Sequence, residues 1–344
     1  MTNIPEKDGE LARKLLAHMD RMTWDRYSQI AYNNARNNFS FLKFGQSLSA
    51  IRDQKIGKGN TAVVVAAGPS IKRQNPATLI KEFNYEGAII VAESAIAYCL
   101  RNGIVPDLAI TIDPGQGRTI RWLGDPNLTV ERLQEDDYFA RQDQDDAFTD
   151  ELRANEQIIK LLEQHGKDIR IALSTMADES LVNRILDVGM DIYWFNPMID
   201  NPDIESSLTA KLQRDNNLPS VNAGGNVGTA SWLFADAVLE KEHVALTGVD
   251  FSYYDGTPYI NTQYYYEAIN LVGKENLDAL FVRIDNPYTN TTFFTDPAYL
   301  WYRECFLEMA KDADCTTYNC TEGGILFGEN IETIPFRSFL ERFA

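Results

Sequence analysis

Between residues 58 and 250 the apolar residues come in short unbroken runs, of which Thr61-Ala-Val-Val-Val-Ala-Ala67 is the clearest. A β-branched run with no polar alternation predicts a strand covered on both faces, as in a parallel sheet. Ala88-Ile-Ile-Val91, Leu108-Ala-Ile-Thr-Ile112, Ile169 to Leu173, Ile192 to Phe195 and Val244 to Thr247 repeat the pattern, with helical stretches between most of them. Such alternation predicts an α/β sheet with right-handed crossovers and a ligand crevice at the carboxyl ends of its strands. Before these runs, Leu11, Leu15, Leu16, Met19 and Met22 stand at helical spacing and Trp24, Tyr27, Phe39, Phe41 and Phe44 follow. They predict a helical preface over residues 1–57. The core is expected over 58–260, interrupted by an acidic insertion at about 125–165. After Asp255 tyrosine and asparagine cluster (Tyr264-Tyr265-Tyr266, Asn286-Pro287-Tyr288), and Pro297 to Ala310 reads as a helix, so 261–344 is expected to cap the crevice.

Charge narrows the function classes. The 344 residues carry 32 Lys and Arg against 50 Asp and Glu, a net −18. That balance opposes tracking of nucleic-acid phosphates or of an anionic membrane. No apolar run approaches the ~18 residues of a spanning helix, and Met1 to Asp20 alternates charge with short apolar stretches, so a cytoplasmic protein with no membrane span is expected. Cys99, Cys305, Cys315 and Cys320 form no CxxC pair, which favours reduced thiols over zinc or disulfides. Only His18, His165 and His243 are present, none in a glycine-rich or carboxylate-bearing turn. That scarcity argues against a Ser-His-Asp hydrolase or a His-ligated metal enzyme and leaves the chemistry to carboxylates, hydroxyls, backbone amides or a hard metal ion. The acidic run with Glu135, Asp136, Asp137, Asp143, Asp145 and Asp146 lacks the glycine turn of a calcium loop and reads as solvated.

Four motifs remain. Ala66-Ala-Gly-Pro-Ser-Ile71 follows the best strand; Gly68 permits close approach, Pro69 opens a helix and Ser70 caps it, giving either an anion-binding helix start or a tight strand-to-helix turn. It lacks the three spaced glycines of a dinucleotide fingerprint and the lysine of a Walker loop. In Asn222-Ala-Gly-Gly-Asn-Val-Gly-Thr-Ala230, Gly224, Gly225 and Gly228 free the backbone while Asn226 and Thr229 add polar side chains at a helix start, a pattern suited to a phosphate or carboxylate. Glu93 (with Ser94), Asp113 and Asp250 follow strand candidates and are expected to face one crevice, where a carboxylate can accept a sugar hydroxyl, hold Mg²⁺ or act as a base. Asn319-Cys-Thr-Glu-Gly-Gly324, with Glu322, reads mainly as a turn into the last helix. Tyr253, Tyr254 and Tyr259 suit stacking on a sugar or base, or simply a core.

Taken in order, Ala66 to Ile71, Gly103-Ile-Val-Pro-Asp-Leu-Ala-Ile-Thr-Ile-Asp-Pro114, Gly224 to Ala230, Leu246-Thr-Gly-Val-Asp-Phe-Ser-Tyr253 and Asn319 to Gly324 resemble the 6-hydroxymethylpterin diphosphokinase MptE-like family, which includes the motility accessory factor glycosyltransferases. A fainter likeness joins them to bacterial lipooligosaccharide sialyltransferases. The resemblance implies a Rossmann-like, mainly parallel sheet with helices on both faces. It places Gly68, Pro69 and Ser70 beside a nucleotide, Gly225 and Asn226 at its phosphate, and Asp250 in the donor pocket; Glu93 and Ser94, from the strand-end group, are expected at the nucleotide too. The sialyltransferases carry a catalytic histidine after the last strand of this set, and this chain has none beyond His243, so Asp113 or Asp250 is the expected base. Tyr253, Tyr254 and Glu322 are expected at the substrate. One branch implies transfer from a CMP-nonulosonic acid or another nucleotide sugar to flagellin or a surface glycan; the other implies Mg-ATP-dependent pyrophosphorylation of a pterin, with Asp113 at the metal. A third reading is a non-catalytic nucleotide-binding protein of polysaccharide or motility assembly.

Overall fold

A computed structural model describes residues 10–16, 18–115, 117–136 and 150–344. The strands in chain order are β1 Gln46–Ser47, β2 Thr61–Val65, β3 Ala88–Ala92, β4 Leu108–Thr111, β5 Arg170–Ser174, β6 Asp191–Pro197, β7 Ser220–Val221, β8 His243–Thr247, β9 Tyr253–Tyr254, β10 Val282–Asn286, β11 Thr291–Thr295, β12 Thr316–Asn319 and β13 Ile331–Thr333. Among the described residues the main sheet runs β1-β6-β5-β4-β3-β2-β8-β12-β13, with β7 beside β6. Its pairings are all parallel, for example Val64↔Ile90 and Val64↔Leu246 on either side of β2.

The unbroken apolar runs have a direct consequence. Side chains alternate across a strand, so Val63, Val65, Ile89 and Val91 enter one core while Ala62, Val64, Ile90 and Ile110 enter another on the opposite face. Helices Pro76–Glu82, Glu151–His165, Glu179–Val188 and Phe336–Phe343 cover the first; helices Val227–Leu233 and Pro297–Met309 cover the second. Each fully buried valine or isoleucine contributes about 1.5–3 kcal/mol by leaving water, which is why these runs accept no polar interruption. The expected Rossmann-like α/β architecture with helices on both faces is present.

One expectation changes. Residues 261–344 do more than cap: β12 pairs with β8 and β13 with β12, so the chain returns to the main sheet after the cap. Thr316-Thr-Tyr-Asn319 is polar enough to hide a strand, since parallel pairing with β8 supplies its hydrogen bonds whatever the side chains. The cap itself is a three-stranded antiparallel sheet, β10-β11-β9, over a small core of Tyr253, Tyr265, Leu280, Phe281 and Phe294. Within the preface, helix Met19–Asn37 is pinned at its carboxyl end, where the Asn34 amide donates to the carbonyls of Pro114 (3.2 Å) and Met176 (2.9 Å). Asn38 likewise donates to Thr175 (2.8 Å) and Ala177 (2.7 Å). The preface is thus clamped over the carboxyl ends of β4 and β5, and Leu11 and Leu15 pack on the core of the cap. Of the acidic insertion, Asp137, Asp143, Asp145 and Asp146 lie outside the described residues, while Glu135 ends helix Val130–Glu135.

Candidate functional site

The order of strands fixes where a ligand can sit. From β2 the chain moves outward through β3, β4, β5 and β6, then crosses back to place β8 on the other side of β2. Connections leaving the carboxyl ends of β2 and β8 diverge, and such a switch point opens a crevice. Here it is a cleft of about 1360 Å³, bounded by the turns after β2, β3, β4 and β8, by the Gly224–Gly228 turn, by the preface helix and by helix Pro297–Met309. Gly68, Pro69, Glu93, Ser94, Asp113, Gly224, Gly225, Asn226, Gly228, Asp250 and Tyr253 all line it. Residues far apart in the chain thus meet in one place. No histidine lines it.

The first glycine turn is occupied by the protein itself. The carboxylate of Asp250 accepts from the Ser70 amide (3.2 and 3.3 Å) and from the Ser70 hydroxyl (2.7 Å), while the Gly68 amide donates to the Gly248 carbonyl (2.9 Å). A Cβ on Gly68 would come within 2.2 Å of Asp250 Oδ2, so only glycine permits this contact. Asp250 is therefore the anion at the Ser70 helix start, and Ser70 is turned to it, buried, outside the cleft lining. Ser70, expected beside a nucleotide, instead forms a latch that ties the β2 turn to the β8 turn across the switch point.

The second turn is open. Gly224 (φ +62°) and Gly225 (φ +83°) occupy the left-handed region, Asn226 caps the helix by accepting from the Thr229 amide (2.9 Å), and the Asn226 amide group donates to Thr229 Oγ1 (2.8 Å). Those bonds consume both side chains, and Thr229 is fully buried, so its expected contact with a nucleotide is replaced by a capping role. The amides of Val227 and Gly228 precede the intrahelical ladder and lie at the cleft wall, where the dipole favours an anion. The helix continues as a π-helical segment Phe234–Val238, so the dipole is longer than the α-helical stretch alone.

Two carboxyls stand at neighbouring strand ends. Asp113 follows β4; water in the cleft reaches it, yet the surrounding walls strip enough hydration to push its carboxyl above the usual range. Glu93 follows β3, is 2% exposed, and leaves Oε2 without a hydrogen-bond partner. Burial, and then the nearby charge of Asp113, hold the Glu93 carboxyl well above its ordinary value. Among the described residues no group of three or more His, Cys, Asp or Glu gathers as a metal site.

Of the three expected substrate residues, two lie elsewhere. Tyr254 sits beneath the Arg73 guanidinium (3.7 Å to the ring centre) and against Phe293, outside the lining. Glu322 accepts from the Phe336 amide (3.1 Å) and so caps the last helix, again away from the cleft. Tyr253 touches the cleft but is 3% exposed, and its hydroxyl accepts from the Gln263 amide (2.9 Å). In their place the walls bring Trp24, Arg26 and Tyr27 from the preface, Arg118 from the turn after β4, and Tyr264, Glu267, Trp301 and Tyr302 from the cap and its following helix. Helical spacing in the sequence marks these aromatics as helix residues but does not tell which face meets the crevice.

The comparisons bear on the fold. Residues 32–125, which hold β1 to β4 and the turns after β2 and β3, match the family described as 6-hydroxymethylpterin diphosphokinase MptE-like. No curated protein matches the sequence. Among solved structures, that of MAf glycosyltransferase from Magnetospirillum magneticum AMB-1 has the same fold, at 15% identity and a TM-score of 0.50, covering 85% of this chain and 38% of that one. The chain therefore spans about two fifths of that protein's length. The resemblance is supported over its first part: the segment 32–125, which holds the Ala66 to Ile71 and Gly103 to Pro114 motifs, matches the MptE-like family model, and the fold is that of the MAf glycosyltransferase.

Proposed function

We propose that the protein transfers a glycosyl group from a nucleotide sugar, with a CMP-activated nonulosonic acid the favoured donor class and flagellin or a surface glycan the acceptor. The observation that carries this reading is the pairing, in one large cleft at the switch point, of a free glycine-rich helix start with an open carboxylate at a strand end. The Gly224–Gly228 turn would take the donor phosphate through backbone amides, which explains how an acidic chain holds an anion. Asp113 would act as base on the acceptor hydroxyl. Of the two acids expected for that role it is the available one, because Asp250 is engaged with Ser70, and an upward-shifted carboxyl is a better base near neutral pH. Glu93 and Ser94 would border the nucleoside. At about 1360 Å³ the cleft exceeds the ~300–1,000 Å³ of a typical single-ligand pocket, as a donor with an acceptor requires.

The match of residues 32–125 favours one competing reading, an ATP- and Mg-dependent pterin diphosphokinase with Asp113 toward the metal. Thermal shifts with CMP, CDP, UDP, GDP and ATP, each with and without Mg²⁺, separate the two, since a ligand of the native state raises its melting temperature. Glycosyl transfer predicts stabilisation by CMP or another sugar-nucleotide product. Stabilisation by Mg-ATP alone would overturn it in favour of the diphosphokinase.

A further inference from the structure

The wall opposite the sheet is built from parts that neither glycine turn explains. Helix Met19–Asn37 is pinned at Asn34, and from there its earlier turns run along the cleft mouth with residues 21–26 exposed. Trp24, 40% exposed, and Tyr27 line the cleft from that side. Facing them, helix Pro297–Met309 contributes Trp301 and Tyr302, both half-buried. The phenol of Tyr302 shares a hydrogen bond with Tyr264 (3.0 Å), and Tyr299 donates to Gln263 Oε1 (2.5 Å), so the wall is set before any ligand arrives. It also abuts the phosphate turn: a Cβ on Gly225 would lie 3.0 Å from both Trp301 and Tyr302.

We infer that this aromatic recess is a carbohydrate subsite for an uncharged, hydroxyl-bearing sugar of the acceptor, held between Trp24 with Tyr27 and Trp301 with Tyr302. The inference rests on the glycosyl-transfer reading and deepens it. A pyranose has C–H-rich faces that pack on aromatic rings, and its hydroxyls each donate and accept. Around the Tyr27 phenol stand two cations, Arg26 and Arg118, and two anions, Asp113 and Glu267, with a third, Asp136, ion-paired to Arg118. The set carries no net positive charge to attract an acidic sugar, while guanidinium donors and carboxylate acceptors together match hydroxyls. The recess is contiguous with the phosphate turn on one side and Asp113 on the other, so a sugar hydroxyl bound there lies where the proposed base can reach it.

The test is an array of neutral hexose, N-acetylhexosamine and deoxyhexose glycans, sialylated and uronic-acid glycans, and Ser/Thr-rich peptides, probed with the labelled full chain. The nucleotide thermal shifts are recorded on the same preparations. Retention on neutral glycans is expected, with Trp24→Ala and Tyr27→Phe together lowering it at least tenfold and leaving the nucleotide shift unchanged, because neither residue belongs to the glycine turn. Trp24 is exposed, so Trp24→Ala alone serves if the double variant folds poorly, with a loss of at least threefold. Preferential retention on acidic glycans or peptides, or no retention above background, would overturn the subsite. Glycan retention without any nucleotide shift would instead overturn the glycosyl-transfer reading and leave the subsite standing.

Discussion

Asp296 offers a stability test that reaches the site indirectly, since it caps the helix carrying Trp301 and Tyr302. Its Oδ1 accepts from the Tyr299 amide (2.9 Å), its Oδ2 has no partner, and the side chain is 1% exposed. Burial pushes its carboxyl to about 7, against a downward pull from the amides of Tyr299 and Ala298 and a further upward push from Glu267. The unfolded chain releases this proton near ~3.9. Between those values the folded protein binds the proton and the unfolded chain does not, so stability from this group is full below about pH 4 and is lost as pH rises through about 7. A gap of roughly three pH units at ~1.4 kcal/mol each sets a ceiling of about 4 kcal/mol. The side chain introduced by Asp296→Asn would keep the cap through its own Oδ1, asparagine being as good a cap as aspartate, but would place an amide donor near the unpartnered position, costing about 1–2 kcal/mol. Asp296→Asn should therefore raise the melting temperature at pH 8 by about 2–5 °C and lower it slightly at pH 5. Calorimetric scans at both values read the difference directly. Equal destabilisation at pH 5 and pH 8 would refute the reasoning.

Four further outcomes concern the cleft itself. Asp250→Ala strands the Ser70 amide and hydroxyl and should cost about 2–4 kcal/mol in denaturant unfolding, against about half that for Asp250→Asn, which keeps one acceptor. Gly225→Ala combines a φ of +83° with a Cβ crowded at 3.0 Å by two rings, so a loss of about 1–3 kcal/mol and a weakened nucleotide thermal shift are expected. Asp113→Asn should leave nucleotide binding intact and lower turnover by about 10²–10⁴-fold. In the wild type the base must be ionised, so the rate should fall as pH drops through a value above the ordinary ~3.9 of aspartate, and the pH dependence of donor hydrolysis would show that limb moved.

Much of the sheet was legible because parallel strands buried on both faces leave a signal in composition alone. Thr61 to Val65, Ala88 to Ala92 and His243 to Thr247 lie within a residue or two of the runs that predict them. Strand β12 was not, since backbone pairing rather than apolar side chains defines it. The turns were legible as glycine-rich strand ends, and topology then brought Gly68, Glu93, Asp113, Gly225 and Asp250 to one cleft. Their individual roles were not legible, because these depend on pairings across long separations. Asp250 stands 180 residues from Ser70, and nothing local announces that it fills the helix start that looked ready for a ligand. The same holds for Tyr254 and Glu322, whose partners Arg73 and Phe336 come from other elements. Trp24 and Tyr27 reach the cleft only through the docking of Asn34 and Asn38 on the strand-end loops.

The most direct measurement on the central claim is donor hydrolysis, with water standing in for the acceptor. The purified protein and its Asp113→Asn variant are incubated with CMP-, UDP- and GDP-activated sugars, and in parallel with ATP, Mg²⁺ and a hydroxymethyl pterin, and free nucleotides are quantified by chromatography. Release of nucleotide from one sugar donor by the wild type, and its loss in a variant that still binds that nucleotide, is the predicted result. AMP from the ATP and pterin mixture with every sugar donor left intact would contradict it.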